Sequence, residues 1–263
     1  MTLQQKIKES ERTGKLDVSK MGLTTLPTLP STLTWLDCCD NKLTTLPALP
    51  SGLTNLYCSR NQLTTLPTLP SMLTELYCSV NELTVLPTLP SMLTKLYCSC
   101  NQLTTLPTLS PTLIKLDCWR NQLVNLPKLP SMLTGLYCHR NQLTTLPLLP
   151  PKLTDLLCNL NQLTTLPPLP PMLDEFYYSD NPYTPAFAKL IRRGDMVGTL
   201  QCIRTYYANI KKRARNILAL QHTFVRKYNY LINEDCLNII GSYLSGQSGT
   251  LTTQIVALRT ILT

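Results

Sequence analysis

The chain has 263 residues, a formal net charge of +9, 21 prolines, 9 glycines and 11 cysteines. No run approaches the roughly 20 consecutive apolar residues of a membrane-spanning helix, and the opening MTLQQKIKES lacks the apolar core of an export signal. Residues 183–263 hold eleven Lys/Arg against three Asp/Glu, whereas 21–182 hold eight against nine. The basic character, and any attraction to acidic surfaces, therefore belongs to the C-terminal segment.

Thr2-Leu3-Gln4-Gln5 has the form of a capping box with Thr2 as N-cap. It predicts a short helix over about 2–12. The stretch 14–27 (GKLDVSKMGLTTLP) then opens a series of twenty-residue units. Asn41, Asn61, Asn81, Asn101, Asn121, Asn141, Asn161 and Asn181 recur at that spacing. A period so strict signals a repeat architecture, in which each unit covers its neighbour's apolar face. In the third unit Leu53, Leu56, Cys58, Leu63, Leu66 and Leu69 are expected inside. Short parallel strands are expected near 36–39, 56–59 and at the equivalent positions up to 176–179. The asparagine after each strand has amide donors and an acceptor, so the column is read as a structural ladder that satisfies backbone groups left by the turn. In the first unit Val18 and Met21 take the cysteine and asparagine slots; in the last, Tyr178 replaces cysteine and Pro182 follows the asparagine.

The prolines alternate with leucine in register (LPALP, LPTLP, LPKLP). They suit an extended return where no hydrogen-bond ladder is needed. Cys38, Cys58, Cys78, Cys98, Cys118, Cys138 and Cys158 share one inward slot and read as small buried hydrophobes. So many unpaired thiols suggest an intracellular, reducing compartment. From Pro185 the pattern turns helical: 185–193, a longer helix from Asp195 with apolar positions Met196 to Ile217, and shorter helices near 234–244 and 251–262. The expected domains are a helical cap (1–14), a solenoid of about nine repeats (15–182) and a basic helical region (183–263).

The pattern L-x-x-L-x-C-x-x-N-x-L resembles the leucine-rich repeat, with cysteine in one leucine slot. NQLTTLPTLPSMLTELYCS (61–79) is similar to the short proline-containing repeats of type III-secreted bacterial effectors, and its cysteine looks like that of repeat proteins from large DNA viruses. The resemblance covers about 16–182. It implies an α/β solenoid, a leucine-rich-repeat horseshoe with a parallel sheet on its concave face and an all-α C-terminal region. Some such effectors carry a ubiquitin-ligase domain with a Cys-x-Asp nucleophile, which neither Cys202-Ile203-Arg204 nor Cys236-Leu237-Asn238 matches. INEDCLNIIGSYL (232–244) is similar to the opening helix of an F-box, without its usual proline; that resemblance implies a ubiquitin-ligase substrate adaptor.

The resemblance and strand alternation together place a candidate partner-binding set on the concave face. Tyr57, Tyr77 and Tyr97 form one column; Trp119, Arg120, Tyr137, His139 and Arg140 cluster over later repeats, and Arg60 shares the slot of Arg120 and Arg140. Tyr, Trp and Arg dominate interface hot spots. Trp35 is a further, weaker candidate. Nothing supports catalysis: His139 and His222 lie far apart, and no phosphate loop, nucleophile elbow or metalloprotease motif is present. No cofactor or metal is expected, for want of Cys-x-x-Cys or cysteine–histidine spacing. The basic stretch 203–215 reads as a solvated helix face, with nucleic acid or an acidic membrane as the alternatives its charge would suit. The expected function is a non-enzymatic protein-binding scaffold; a ligase adaptor and a structural component of a virus particle are the other readings.

Overall fold

The computed structural model describes residues 2–191 and 200–212. Its first element is α1 (Leu3–Thr13), followed by nine three-residue strands. These are β1 (Lys15–Asp17), β2 (Trp35–Asp37), β3 (Asn55–Tyr57), β4 (Glu75–Tyr77), β5 (Lys95–Tyr97), β6 (Lys115–Asp117), β7 (Gly135–Tyr137), β8 (Asp155–Leu157) and β9 (Glu175–Tyr177), and α2 (Pro185–Ile191) comes after them. The strands form one parallel sheet in sequence order. Registry is kept throughout, so Leu56 pairs with Leu76 and Tyr57 with Tyr77. Identical repeats thus become columns running across the sheet. This is a leucine-rich-repeat solenoid.

The central leucine of each strand from β2 to β8 is fully buried, and Phe176 takes that place in β9. The seven slot cysteines are equally sealed and unpaired. Burial pushes the Cys78 thiol up to about 12 and drives Cys58, Cys98, Cys118 and Cys138 well above the ordinary range. The column is therefore protonated and packs as small hydrophobes. Leu66, Leu69, Leu86 and Leu89 close the core from the return side.

The strands begin one residue earlier and end two residues earlier than the leucine spacing predicts. The cause is the turn that follows. Residues 20, 40, 60 and so on to 180 all have φ between 53° and 57°, although none is glycine. That left-handed step swings the chain out of the sheet. Backbone bonds still cross it, as from Arg60 N–H to Ser79 O (2.9 Å). The asparagine side chain then takes the neighbouring carbonyls. Asn101 Nδ2 is shared among Cys78 O (3.0 Å), Cys98 O (3.1 Å) and Ser99 O (3.2 Å), and its Oδ1 accepts from Leu83 N–H (3.0 Å). Every asparagine from Asn41 to Asn181 repeats this bridge to the preceding unit, as Asn41 does to Val18 and Leu23 and Asn181 to Cys158 and Leu163. Buried donors and acceptors left unpaired cost about 1–3 kcal/mol each, which explains why the slot does not vary from Asn41 to Asn181.

At the N-terminal end the capping box is formed, with Thr2 N–H donating to Gln5 Oε1 (2.8 Å) and Gln5 N–H to Thr2 Oγ1 (3.3 Å). Gly14 ends α1 in the left-handed region at φ 68°, and its carbonyl accepts from Thr34 and Trp35 N–H. Helix and first strands are locked by that hinge. At the other end Tyr183 Oη donates to Tyr178 O (2.7 Å), and Phe187 N–H donates to Thr184 Oγ1 (3.3 Å) as α2 begins. The chain falls into two compact units, Met1–Lys189 and Leu190–Thr263. In the second, 200–212 is helical, with Leu200 and Ile203 buried at helical spacing. The helices expected near 234–244 and 251–262, with the F-box-like stretch, lie outside the described residues, as does the end of the basic stretch 203–215.

Candidate functional site

In a three-residue strand with its middle leucine buried, the flanking residues both face the other side of the sheet. Each repeat therefore offers two strand positions to the concave surface, followed by a half-buried position and the exposed left-handed residue. Two of these four columns are populated unevenly along the solenoid.

The N-terminal half is aromatic. Trp35 and Tyr57 have ring centroids 5.5 Å apart, Tyr57 and Tyr77 4.6 Å, and Tyr77 and Tyr97 4.4 Å with planes 12° from parallel. The separations follow the strand spacing of about 4.8 Å, so the rings cannot part to admit another ring. They present edges and hydroxyls and stay half-exposed. Tyr57 Oη donates to Glu75 Oε2 (2.7 Å), and Glu75 pairs with Lys95 (2.9 Å). Burial opposes ionisation of Glu75, but hydrogen bonds from Lys95 and Tyr57 hold its carboxyl below the ordinary value. Burial, with the neighbouring Tyr97 and Glu75, pushes the Tyr77 phenol up, so it remains a donor.

Asp117 interrupts the tyrosine column. Burial pushes its carboxyl up to about 6, against hydrogen bonds from the Trp119 backbone and the Ser99 side chain. Beside it Lys115 reaches across β7 to Asp155 (3.3 Å). Gly135 makes that span available: a Cβ there would lie 3.2 Å from Lys115 Cδ and 3.1 Å from Tyr137 Cε2. Tyr137 Oη donates to Asp155 Oδ2 (3.1 Å). The column containing Asn55, Glu75, Lys95, Lys115 and Asp155 was not among the expected site residues. Its signal was present in the sequence, as the one strand position where charges of both signs recur every twenty residues.

Trp119 and His139 stack with centroids 5.1 Å apart and planes 4° from parallel. His139 Nδ1 is buried with no hydrogen-bond partner. Burial and then the Arg140 charge push the imidazole pKa down, so the ring is neutral at pH 7. Positive charge here comes from Arg120 and Arg140, both exposed and successive in the left-handed column. Neither has an ion-pair partner among the described residues, whereas Arg60 lies 3.8 Å from Asp40. Of the expected residues, Tyr57, Tyr77 and Tyr97 come together, as do Trp119 with His139 and Arg120 with Arg140. Tyr137 instead bonds with Lys115 and Asp155, and Arg60 stands three repeats before Arg120. Among the described residues no group of three His, Cys, Asp or Glu is placed to hold a metal ion, and no helix is long and apolar enough to cross a membrane.

No family model matches the chain, and no curated protein does. Solved structures do. The chain is similar to YopM, a leucine-rich effector protein from Yersinia pestis, at 31% identity and a TM-score of 0.60, over 70% of this chain and 61% of that one. It is similar to a Shigella effector leucine-rich-repeat domain at 31% identity and a TM-score of 0.57, over 73% of this chain and 83% of that one. The chain thus spans about three fifths of the YopM chain it matches.

Proposed function

Since this chain belongs to the leucine-rich-repeat proteins, a fold that serves as a protein-interaction scaffold, we propose that it binds a protein partner across the concave face of its sheet and performs no catalysis there. One observation carries the reading: the continuous row of rings Trp35, Tyr57, Tyr77 and Tyr97, half-exposed on a rigid sheet. Stacked rings lose little further freedom when a partner arrives, which lowers the entropic cost of association. The tyrosine hydroxyls can supply directional bonds to a partner.

The test uses the intact chain as bait for quantitative affinity purification. Wild type is compared with Tyr77→Ala and with Gln102→Ala, an exposed position off the sheet. A partner retained by Gln102→Ala and lost with Tyr77→Ala supports the reading, with a loss of about 2 kcal/mol or more expected of a central aromatic anchor. Equal recovery by all three, with Tyr77→Ala melting as wild type does, counts against it.

A further inference from the structure

The left-handed residue of each turn is a poor place for a branched or long side chain, and glycine, asparagine or aspartate is what the backbone favours there. The chain nevertheless places arginine at two successive turns, Arg120 (φ 53°) and Arg140 (φ 55°). Strain kept by a fold is informative where the residue held under strain has chemistry of its own. Here it does. The two turns are adjacent and bridged by Arg120 N–H to His139 O (3.0 Å), so the two exposed arginines leave the backbone from neighbouring turns, about one strand spacing of 4.8 Å apart. The same column holds Cys100 before the pair and Leu160 after it, neither of them an acid. An arriving anion finds ten N–H donors in two planar forks. The flanking surface is the flat Trp119–His139 stack, whose imidazole is neutral, so the anion meets two fixed charges beside an apolar plane.

We infer that Arg120 and Arg140 form a paired clamp for the carboxylates of an extended acidic segment of the protein partner, with the Trp119–His139 plane packing against that segment's backbone and side-chain stems. This rests on the concave-face reading and names the partner's chemistry. A carboxylate at the midpoint accepts one fork from each arginine, and a second carboxylate on the same segment occupies the outer donors. The opposite side of the concave face is already neutralised internally by Lys95–Glu75 and Lys115–Asp155. Over these repeats the two arginines without an ion pair stand in the turn column, and a segment lying along that column is the geometry they select.

The chain has two tryptophans, and Trp119 is the one beside the clamp, so Trp35→Phe leaves a local reporter. Bulk binding of an acidic peptide is not diagnostic, because the C-terminal segment carries most of the net charge. The full-length Trp35→Phe protein is titrated with a peptide alternating glutamate and serine, and Trp119 emission is followed. A saturable change that weakens with salt is expected. It should weaken by roughly tenfold or more in Arg120→Gln/Arg140→Gln, the loss that goes with charge-assisted hydrogen bonds. The glutamine–serine peptide should give none. The inference is overturned if the acidic peptide leaves Trp119 unchanged, or binds the double variant equally. It is also overturned if only a phosphotyrosine peptide or phosphatidylserine vesicles produce the change. The broader reading is separated by its own bait experiment: a partner lost with Tyr77→Ala but kept by Arg120→Gln/Arg140→Gln sustains the scaffold and removes the clamp.

Discussion

Two neighbouring columns of the same turn obey opposite rules. The asparagine column is invariant from Asn41 to Asn181, and each side chain serves the backbone of two repeats. The column one residue earlier reads Lys, Asp, Arg, Val, Cys, Arg, Arg, Leu and Asp, at nearly the same φ throughout. The inner position is fixed by hydrogen bonds that nothing else can make. The outer one accepts residues that strain it, including β-branched Val80. The solenoid thus separates what holds repeats together from what they show to solvent, within two consecutive residues.

The largest way to break that contrast is at the inner column. Asn101→Ala removes the donors to Cys78, Cys98 and Ser99 and the acceptor of Leu83 N–H. The stability lost is expected to be roughly 1–3 kcal/mol, toward the upper end because groups in two repeats are stranded together. Urea unfolding measures it. A midpoint equal to wild type would show that water replaces the amide and that the column is not structural.

The inner column was legible because it repeats. Eight asparagines and seven cysteines at one spacing announce a core whatever the rest of the chain does. The strand limits were less so, because leucine spacing marks burial but not the left-handed step at residues 60, 80 and 100 that turns the chain out of the regular strand. The concave residues were legible as types and only partly as neighbours. Stacking of the three tyrosines follows from register alone. The engagement of Tyr137 with Lys115 and Asp155 does not, since it depends on the absent side chain of Gly135 two residues away on the same strand. Repetition encodes columns, whereas a contact that skips a strand depends on one exceptional residue.

A smaller effect is expected where the outward-facing set breaks its own rule. Asp117 is a half-buried carboxylate in the tyrosine column, with its pKa pushed up by desolvation to about 6 from an ordinary 3.8. Between those values the folded chain keeps a proton that the unfolded chain has released. Its contribution to stability therefore falls as pH rises through that window and stays low above it. Asp117→Asn is expected to flatten the pH dependence of the melting temperature there and to raise it at pH 7. An unchanged profile would place the carboxylate in contact with water.

The smallest effect sharpens the comparison most. A β-branched residue in the left-handed region costs about 1–2 kcal/mol, and glycine there relieves it while adding about 0.4–1 kcal/mol of unfolded-chain entropy to be lost. Val80→Gly should therefore stabilise the fold by a few tenths to about 1 kcal/mol. Arg140→Gly meets the same backbone (φ 55° against 57°) and should gain a similar amount in thermal unfolding. The two variants part at the rim. Val80→Gly leaves the Trp119 response to the glutamate–serine peptide intact, and Arg140→Gly weakens it. A variant that is more stable and binds less well is what a strained display position produces. If both lose stability, the left-handed column is held by contacts of its own side chains, and the distinction between the two columns fails.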